Sequence, residues 1–460
     1  MKTTSHLNAL AAAGLLALGS LAWLAAPEAH AAPSAADLER LDKDLTPVGA
    51  ERAGNKDGSI PEWTGGLASA PAGFNAKAGY ADPYAADKPL FSITAQNLAQ
   101  YQGKLSAGQV ALLKKYPTLK LNVYPTRRSA AYPDKVYKDA KAFAGNVKLS
   151  ASGNAVSGSG SSAVPFPLAK TGQEVLLNHT FRWIGGGVDT VQDQVVMTAG
   201  GTSYKSRVRN AFYRDAQGYV EGSKKENLMA LLTVFQTPAT LEGTIYLSLE
   251  PLNMDEQDRI TWIYNAGQRR VRRAPDVAYD FVAEGSEGLR YSDNVDGWNG
   301  KFDRYDIKLV GKKELYIPYN SYKLADKKQK YSDIHKPGHL NPELLRYELH
   351  RVWVVEATLK PGQRHLISKR TFYVDEDTWQ VGLVDMYDSR GDLWRVLEGF
   401  PIQYYDVQVP WYTDYVIYDL HSGAYISNGL QNEVSEPWKF GAKANAADLT
   451  GDALRRLGTK

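Results

Sequence analysis

Eight histidines, three clusters of acidic residues and one run of arginines are the side chains with most chemistry in this 460-residue chain. Beyond residue 31 the histidines are His179, His335, His339, His350, His365 and His421. Only His335 and His339 have a ligand-like spacing, and Pro337-Gly338 between them blocks the helix on which such a pair converges. A solvated turn is expected there, with a loop metal site as the alternative. The acidic clusters are Asp255-Glu256-Gln257-Asp258, Asp293-Asn294-Val295-Asp296-Gly297 and Asp375-Glu376-Asp377. The second resembles a calcium loop, except that Val295 stands where that loop needs an oxygen ligand. All three fall where hairpin turns are expected and read as solvated turn residues. No Gly-x-Ser-x-Gly elbow or other nucleophile motif occurs. The two carboxylates of a glycosidase can be far apart in sequence, so an exported hydrolase stays open as an alternative. No catalytic residue, metal ligand or cofactor site is assigned.

The arginine run, Arg269-Arg270-Val271-Arg272-Arg273, puts four cations on one short strand. Strand alternation sends Arg270 and Arg272 to one face and Arg269, Val271 and Arg273 to the other. Such charges protect an edge strand from aggregation. Alternatively, Arg270 and Arg272 meet an acidic head group or a partner protein. A net charge of +3 gives no electrostatic case for nucleic acid.

The chain opens with the three parts of an export signal: Lys2, an apolar stretch over residues 9–26, and Ala29-His30-Ala31 as a small-x-small cleavage site. Cleavage after Ala31 is expected, with an uncleaved anchor as the alternative. Because the sequence has no cysteine, it can carry no disulfide, no thiolate zinc site and no lipid on a cysteine after the cut. No later segment approaches the length of a membrane-spanning helix, so a soluble exported protein is expected.

The elements that would position these residues are mainly strands. Residues 32–93 are rich in Ala, Gly and Pro and read as an extended arm and loops. Residues 94–147 read as two or three helices, one opened by a Ser106/Gln109 capping box and one by Pro133. The Gly/Ser-rich stretch 148–163 reads as a flexible connection or mobile loop. Residues 164–443 read as an antiparallel β-sheet region with helical insertions, and beyond Phe181 the period is two. Ile245, Leu247 and Leu249 share one strand face, and Thr244, Tyr246, Ser248 and Glu250 the other. Residues 352–400 read as four strands joined by short turns, the first turn being Lys360-Pro361-Gly362-Gln363. Connections this short make the array antiparallel. The tail, 444–460, is expected to form a short helix through Leu454 and Leu457.

Four segments carry a family resemblance: Leu45-Thr-Pro-Val-Gly-Ala-Glu-Arg-Ala-Gly-Asn, Ile60-Pro-Glu-Trp-Thr-Gly-Gly, Trp262-Ile-Tyr-Asn-Ala-Gly-Gln-Arg-Arg-Val-Arg-Arg-Ala-Pro, and Val352-Trp-Val-Val-Glu-Ala through Arg370-Thr-Phe-Tyr-Val-Asp. They resemble a bacterial domain-of-unknown-function family labelled outer membrane lipoprotein-sorting-like, over residues 41–440. The resemblance implies a β-rich α+β fold similar to periplasmic lipoprotein carriers. Its large curved antiparallel sheet, an incomplete barrel, has helices packed against it around an apolar cavity. It also implies a soluble periplasmic carrier or adaptor for a hydrophobic, lipid-like molecule, and partners among resistance-nodulation-division type exporters and outer-membrane β proteins. No catalytic residue is carried over. On this reading Ile245, Leu247, Leu249, Trp262, Trp353, Val355, Leu359 and Phe372 are expected to bind the ligand. A periplasmic scaffold that docks on an exporter or outer-membrane protein is the alternative of a different class.

Overall fold

Runs of β-branched and aromatic residues between short polar turns build one sheet of 16 strands. The computed structural model describes residues 33–458; the expected export signal and its cleavage point lie outside the described residues. In chain order the strands are β1 (Phe91–Ile93), β2 (Leu121–Val123), β3 (Gly187–Met197), β4 (Ser203–Tyr213), β5 (Asn227–Thr237), β6 (Ile245–Pro251), β7 (Ile260–Asn265), β8 (Arg270–Arg273) and β9 (Tyr305–Pro318). They continue as β10 (Tyr347–Leu359), β11 (Lys369–Asp375), β12 (Val381–Tyr387), β13 (Leu393–Tyr404), β14 (Val409–Asp419), β15 (Tyr425–Leu430) and β16 (Lys439–Phe440).

From β10 to β15 the strands lie side by side in chain order, the antiparallel meander expected from the turns. In its first turn the Gln363 N–H donates to the Lys360 carbonyl at 3.1 Å, and Gly362 has φ +82°, which is the geometry Pro-Gly favours there. Strand β15 then pairs with β3, and β4, β5, β6, β7 and β8 follow. Strand β9 pairs with the other side of β10, and β2, itself paired with β1, meets β10 in parallel at Val123 and Tyr347, so the sheet ends on β1 and β9 at one side and β8 at the other and is not closed into a barrel.

Both faces of this sheet are covered, by different helices. Helix α1 (Ala107–Lys115), opened by the Ser106/Gln109 capping box, lays Leu112 and Leu113 on the outer face with Val396, Phe400, Val416 and Tyr418. Helices α2 (Asp134–Phe143), with Pro133 at its N-cap, and α3 (Gly172–Phe181) lie on the inner face, where Val136, Ala140, Val175 and Leu176 join the largest core cluster. Helix α4 (Gly451–Gly458) covers the outer face of β6 to β8, packing Leu454 with Ile245, Leu247 and Tyr264. Replacing Leu454 by Ala is therefore expected to cost about 2–3 kcal/mol, read as a lower urea midpoint.

The Gly/Ser-rich stretch is ordered. Lys148–Leu149 pairs with Val156–Ser157, Ser159 and Ser162 are buried, and the Ser152 hydroxyl donates to Asp255. At Gly158 (φ +72°) a Cβ would stand 2.2 Å from the Asn146 carbonyl oxygen. Glycine is needed there for close approach, which has the same composition as a linker.

Candidate binding cleft

Strand register assembles the site. On the inner face Tyr415 of β14 stands opposite Asn428 of β15, Asn428 opposite Gln194 of β3, and Gln194 opposite Ser206 of β4. Parallel to that row run Asn210 with Thr233, and Phe212 with Leu231. Together with Phe235, Trp411, Tyr412 and Trp438 they wall a small cleft of about 100 Å³, which the loop residues Arg290, Val295 and Asp296 also line. Strands β14 and β4 are three places apart in the sheet, roughly 14 Å if it were flat. The rings of Trp411 and Phe212 nevertheless meet edge to face at 5.4 Å, so the sheet curls around the cleft.

The polar groups are fixed at one end. The Arg290 guanidinium donates to the Tyr415 hydroxyl at 3.0 Å. Asp296 accepts from Arg182 at 2.6 Å and from the Trp411 indole N–H at 3.3 Å. Burial opposes the Asp296 charge, but the Arg182 charge and hydrogen bond, with Arg214 beyond, outweigh it and hold the carboxyl below its ordinary range. Burial, assisted by the Arg182 charge, pushes His179 down to about 3 and Arg214 down to about 9. His179 is thus neutral: Nδ1 accepts from the Val381 N–H at 3.0 Å, and Nε2 donates to the Asp296 carbonyl. Two amides complete the wall. Gln194 donates through Nε2 to the Ser206 hydroxyl at 3.2 Å, and Asn428 through Nδ2 to the Tyr415 carbonyl at 3.3 Å. The amide oxygens of Gln194 and Asn428 have no hydrogen-bond partner, nor does Arg290 Nε.

None of the eight ligand-binding residues expected from the sequence lines this cleft. Trp353, Val355, Leu359 and Phe372 belong to the inner face, under helix α3 and the 298–302 loop: Trp298 stands edge to face on Phe372 at 5.7 Å, and a Cβ on Gly172 would come within 2.9 Å of Val355. Ile245, Leu247 and Leu249, with Trp262, face outward beneath α4. Two sets of residues named together are therefore on opposite faces; Trp262 lines an open surface hollow with Arg270 and Asp452, and Trp353 another with Leu45 and Glu51. The face that meets the cleft side of β6 is the one carrying Tyr246 and Ser248, opposite Thr233 and Leu231. Sequence reasoning missed Gln192 and Gln194, although two amides at alternate positions of a strand were a signal of a polar inward face.

Two of the three acidic clusters are corrected. Asp293 is buried between Arg370 (2.8 Å) and His365 (3.0 Å), and Asp296 closes the cleft. Asp375, Glu376 and Asp377 are buried as well. His335 and His339 are also buried rather than solvated, paired in a two-residue ribbon and bonded to Tyr425 and Thr118 respectively. His350, Asp375 and Asp377 could together offer ligand atoms to a metal. Their partners make the group an ion-pair lock: Arg128 grips Asp377 through two nitrogens, and Glu348 takes His350 Nε2 at 3.3 Å. Arg270, Arg272 and Arg273 lie on β8, the last strand of the sheet, as expected of an edge, with Arg269 in the turn before it (φ +52°), and all four are exposed.

An open sheet curled round inner helices, with an amphiphilic cleft on its inner face, makes this an α+β protein of the incomplete-barrel class. More narrowly, the chain belongs to the family described as "Protein of unknown function (DUF1329)", matched over residues 92–455. It is 48% identical, over the full length of both chains, to an uncharacterised protein of Pseudomonas aeruginosa. Among solved structures it is similar to a putative outer membrane lipoprotein-sorting protein domain from Vibrio parahaemolyticus, with 14% identity, 59% of this chain and 92% of the other covered, and a TM-score of 0.41. A DUF1329 family protein from Desulfovibrio piger gives 16% identity, 58% and 91% coverage, and a TM-score of 0.40. Among the described residues no helix is long and apolar enough to cross a membrane.

Proposed function

We propose that this protein is a soluble periplasmic carrier that holds a hydrophobic molecule in the inner-face cleft. The observation that carries the reading is the cleft itself, a curled sheet leaving an aromatic-walled space open at one side between β14 and β5. Shielding an apolar chain there gains about 25 cal/mol per Å² removed from water, sufficient for carriage without any chemical step. The export signal at Met1–Ala31 supports the compartment. In this reading the eight strand residues named from the sequence hold the fold, and the cleft residues hold the ligand. Native mass spectrometry of protein recovered from the periplasm tests it directly: a co-purified mass of several hundred daltons is expected, and consistently empty protein sinks it. Leu231→Glu, which puts a charge on the cleft wall, is expected to weaken binding of a fluorescent apolar probe at least tenfold with the circular dichroism spectrum unchanged.

The arginine edge favours a second contact. Among the described residues Arg270 and Arg272 make no ion pair, and their strand has an unpaired outer side. An exporter or outer-membrane partner would meet this edge, in a carrier or in a scaffold alike.

A further inference from the structure

We propose that the hollow between strand β8 and the start of helix α4 binds a phosphate-bearing anion, the charged group shared by phospholipid headgroups and free phosphate esters. It lies on the outer face of the sheet, away from the inner-face cleft, and does not depend on the carrier reading. Arg273 stands opposite Trp262 and Val271 opposite Tyr264, so alternation turns Val271 and Arg273 to the side on which α4 packs. Arg269, in the turn before the strand, and Arg270 complete that wall, and Asp452 and Arg455 of α4 stand in the other. Between them the hollow measures about 570 Å³ and is open to solvent. Its shape is held by a close seat of the helix start on the strand: a Cβ on Gly451 would come within 2.9 Å of the Trp262 indole nitrogen.

Charge selects what the hollow takes. Asp452 is the one acid in its lining and already holds Arg455 at 3.2 Å. Among the described residues Arg269, Arg270 and Arg273 have neither an ion pair nor a side-chain hydrogen bond, so these guanidiniums line one space with their charge unanswered. Protecting an edge from strand pairing explains cations on β8 itself. It does not explain Arg269, which stands outside the strand and holds φ +52°, in the left-handed region that favours glycine. Like charges gathered in one hollow repel, and an anion placed among them turns that cost into attraction. Every cation in the lining is arginine, whose planar fork grips phosphate oxygens two at a time. A phosphate has oxygens enough for two such forks, whereas a carboxylate fills one. Trp262 and Val271 offer apolar contact to the carbon part of the same ligand.

The test is isothermal titration at low salt with glycerol 3-phosphate, dihexanoylphosphatidic acid, acetate and heptaglutamate, alongside sedimentation with vesicles of phosphatidylcholine alone or mixed with phosphatidylglycerol. A phosphate probe is expected to bind at least tenfold more tightly than acetate, and added salt to weaken it. In Arg270→Gln/Arg273→Gln the affinity is expected to fall at least tenfold, whereas Arg364→Gln/Arg390→Gln, which removes two exposed arginines from other turns, leaves it within about twofold. Sedimentation with the phosphatidylglycerol vesicles alone assigns the site to lipid headgroups, and binding of glycerol 3-phosphate without sedimentation assigns it to a free phosphate ester. Failure of both phosphate probes to bind, or an equal loss in the two double variants, overturns the site. Tighter binding of heptaglutamate than of either phosphate overturns it too and makes these arginines a contact for an acidic protein. None of these outcomes bears on what the inner-face cleft holds.

Discussion

Replacing Arg128 by Leu is expected to lower stability by about 3–5 kcal/mol. Five hydrogen bonds leave this guanidinium: Nε and Nη2 to the Asp377 carboxylate at 2.9 and 2.6 Å, Nη2 to the Glu51 carbonyl at 2.7 Å, and Nη1 to the Arg52 and Pro61 carbonyls at 3.0 and 3.3 Å. One side chain thus ties residues 51–61 of the N-terminal arm to the turn between β11 and β12. Neighbouring acids have cations of their own, Glu376 with Lys312 at 2.7 Å and Arg351 at 3.2 Å. Asp377, at 4% exposure, would be left buried without its guanidinium partner. A lower urea midpoint with faster amide exchange in 51–61 is the expected signature. Arg128→Lys keeps the charge but not the fork, so it should recover only part of the loss.

Asp414→Asn is expected to stabilise the protein, by up to about 4 kcal/mol at neutral pH. Asp414 is completely buried on the outer face of β14; the Ser427 hydroxyl donates to one carboxyl oxygen and the other has no partner. Burial pushes its carboxyl up to about 7. The unfolded chain releases that proton near pH 4 and the folded chain near 7, so the folded state binds more protons in between. Wild-type stability from this group is full below pH 4 and is lost as pH rises to 7. Asparagine does not titrate. The advantage of the variant should therefore be absent at pH 4, grow through pH 5 and 6, and level off above 7. Thermal unfolding of both proteins across that range tests the slope, and a constant difference at every pH would refute it. Glu398, raised by burial to about 7, should respond to Glu398→Gln with the same sign.

The strands were the most legible part of the sequence, because alternation and the Pro-Gly turn at 361–362 are local signals. Capping at Ser106 was legible for the same reason. What alternation cannot supply is which face the chain covers with itself. Leu247 has the pattern of a cavity wall, yet Leu454, at the far end of the sequence, lies over it. The acidic turns failed for a related reason. Asp377 reads as solvated until Arg128, 249 positions away, is placed beside it. Asp293 likewise depends on Arg370, 77 positions on. The cleft was hidden because its signature is polar: Asn428 and Gln194 would count as surface residues on any strand whose neighbours were unknown.

The join between β15 and β3 has a consequence for how the molecule is made. Gln431 hydrogen-bonds to Val191 across 240 positions, and the neighbouring ladder spans a similar distance. A growing chain therefore completes the β3 to β8 wing early but leaves the β3 side of it as a raw edge until residues 425–430 emerge. Pairings this remote form slowly, since so much chain must be ordered before they return anything. In that interval the half that will hold the ligand is a template for the wrong strand. Timing of synthesis, as much as final stability, thus decides how much of this protein reaches its working form.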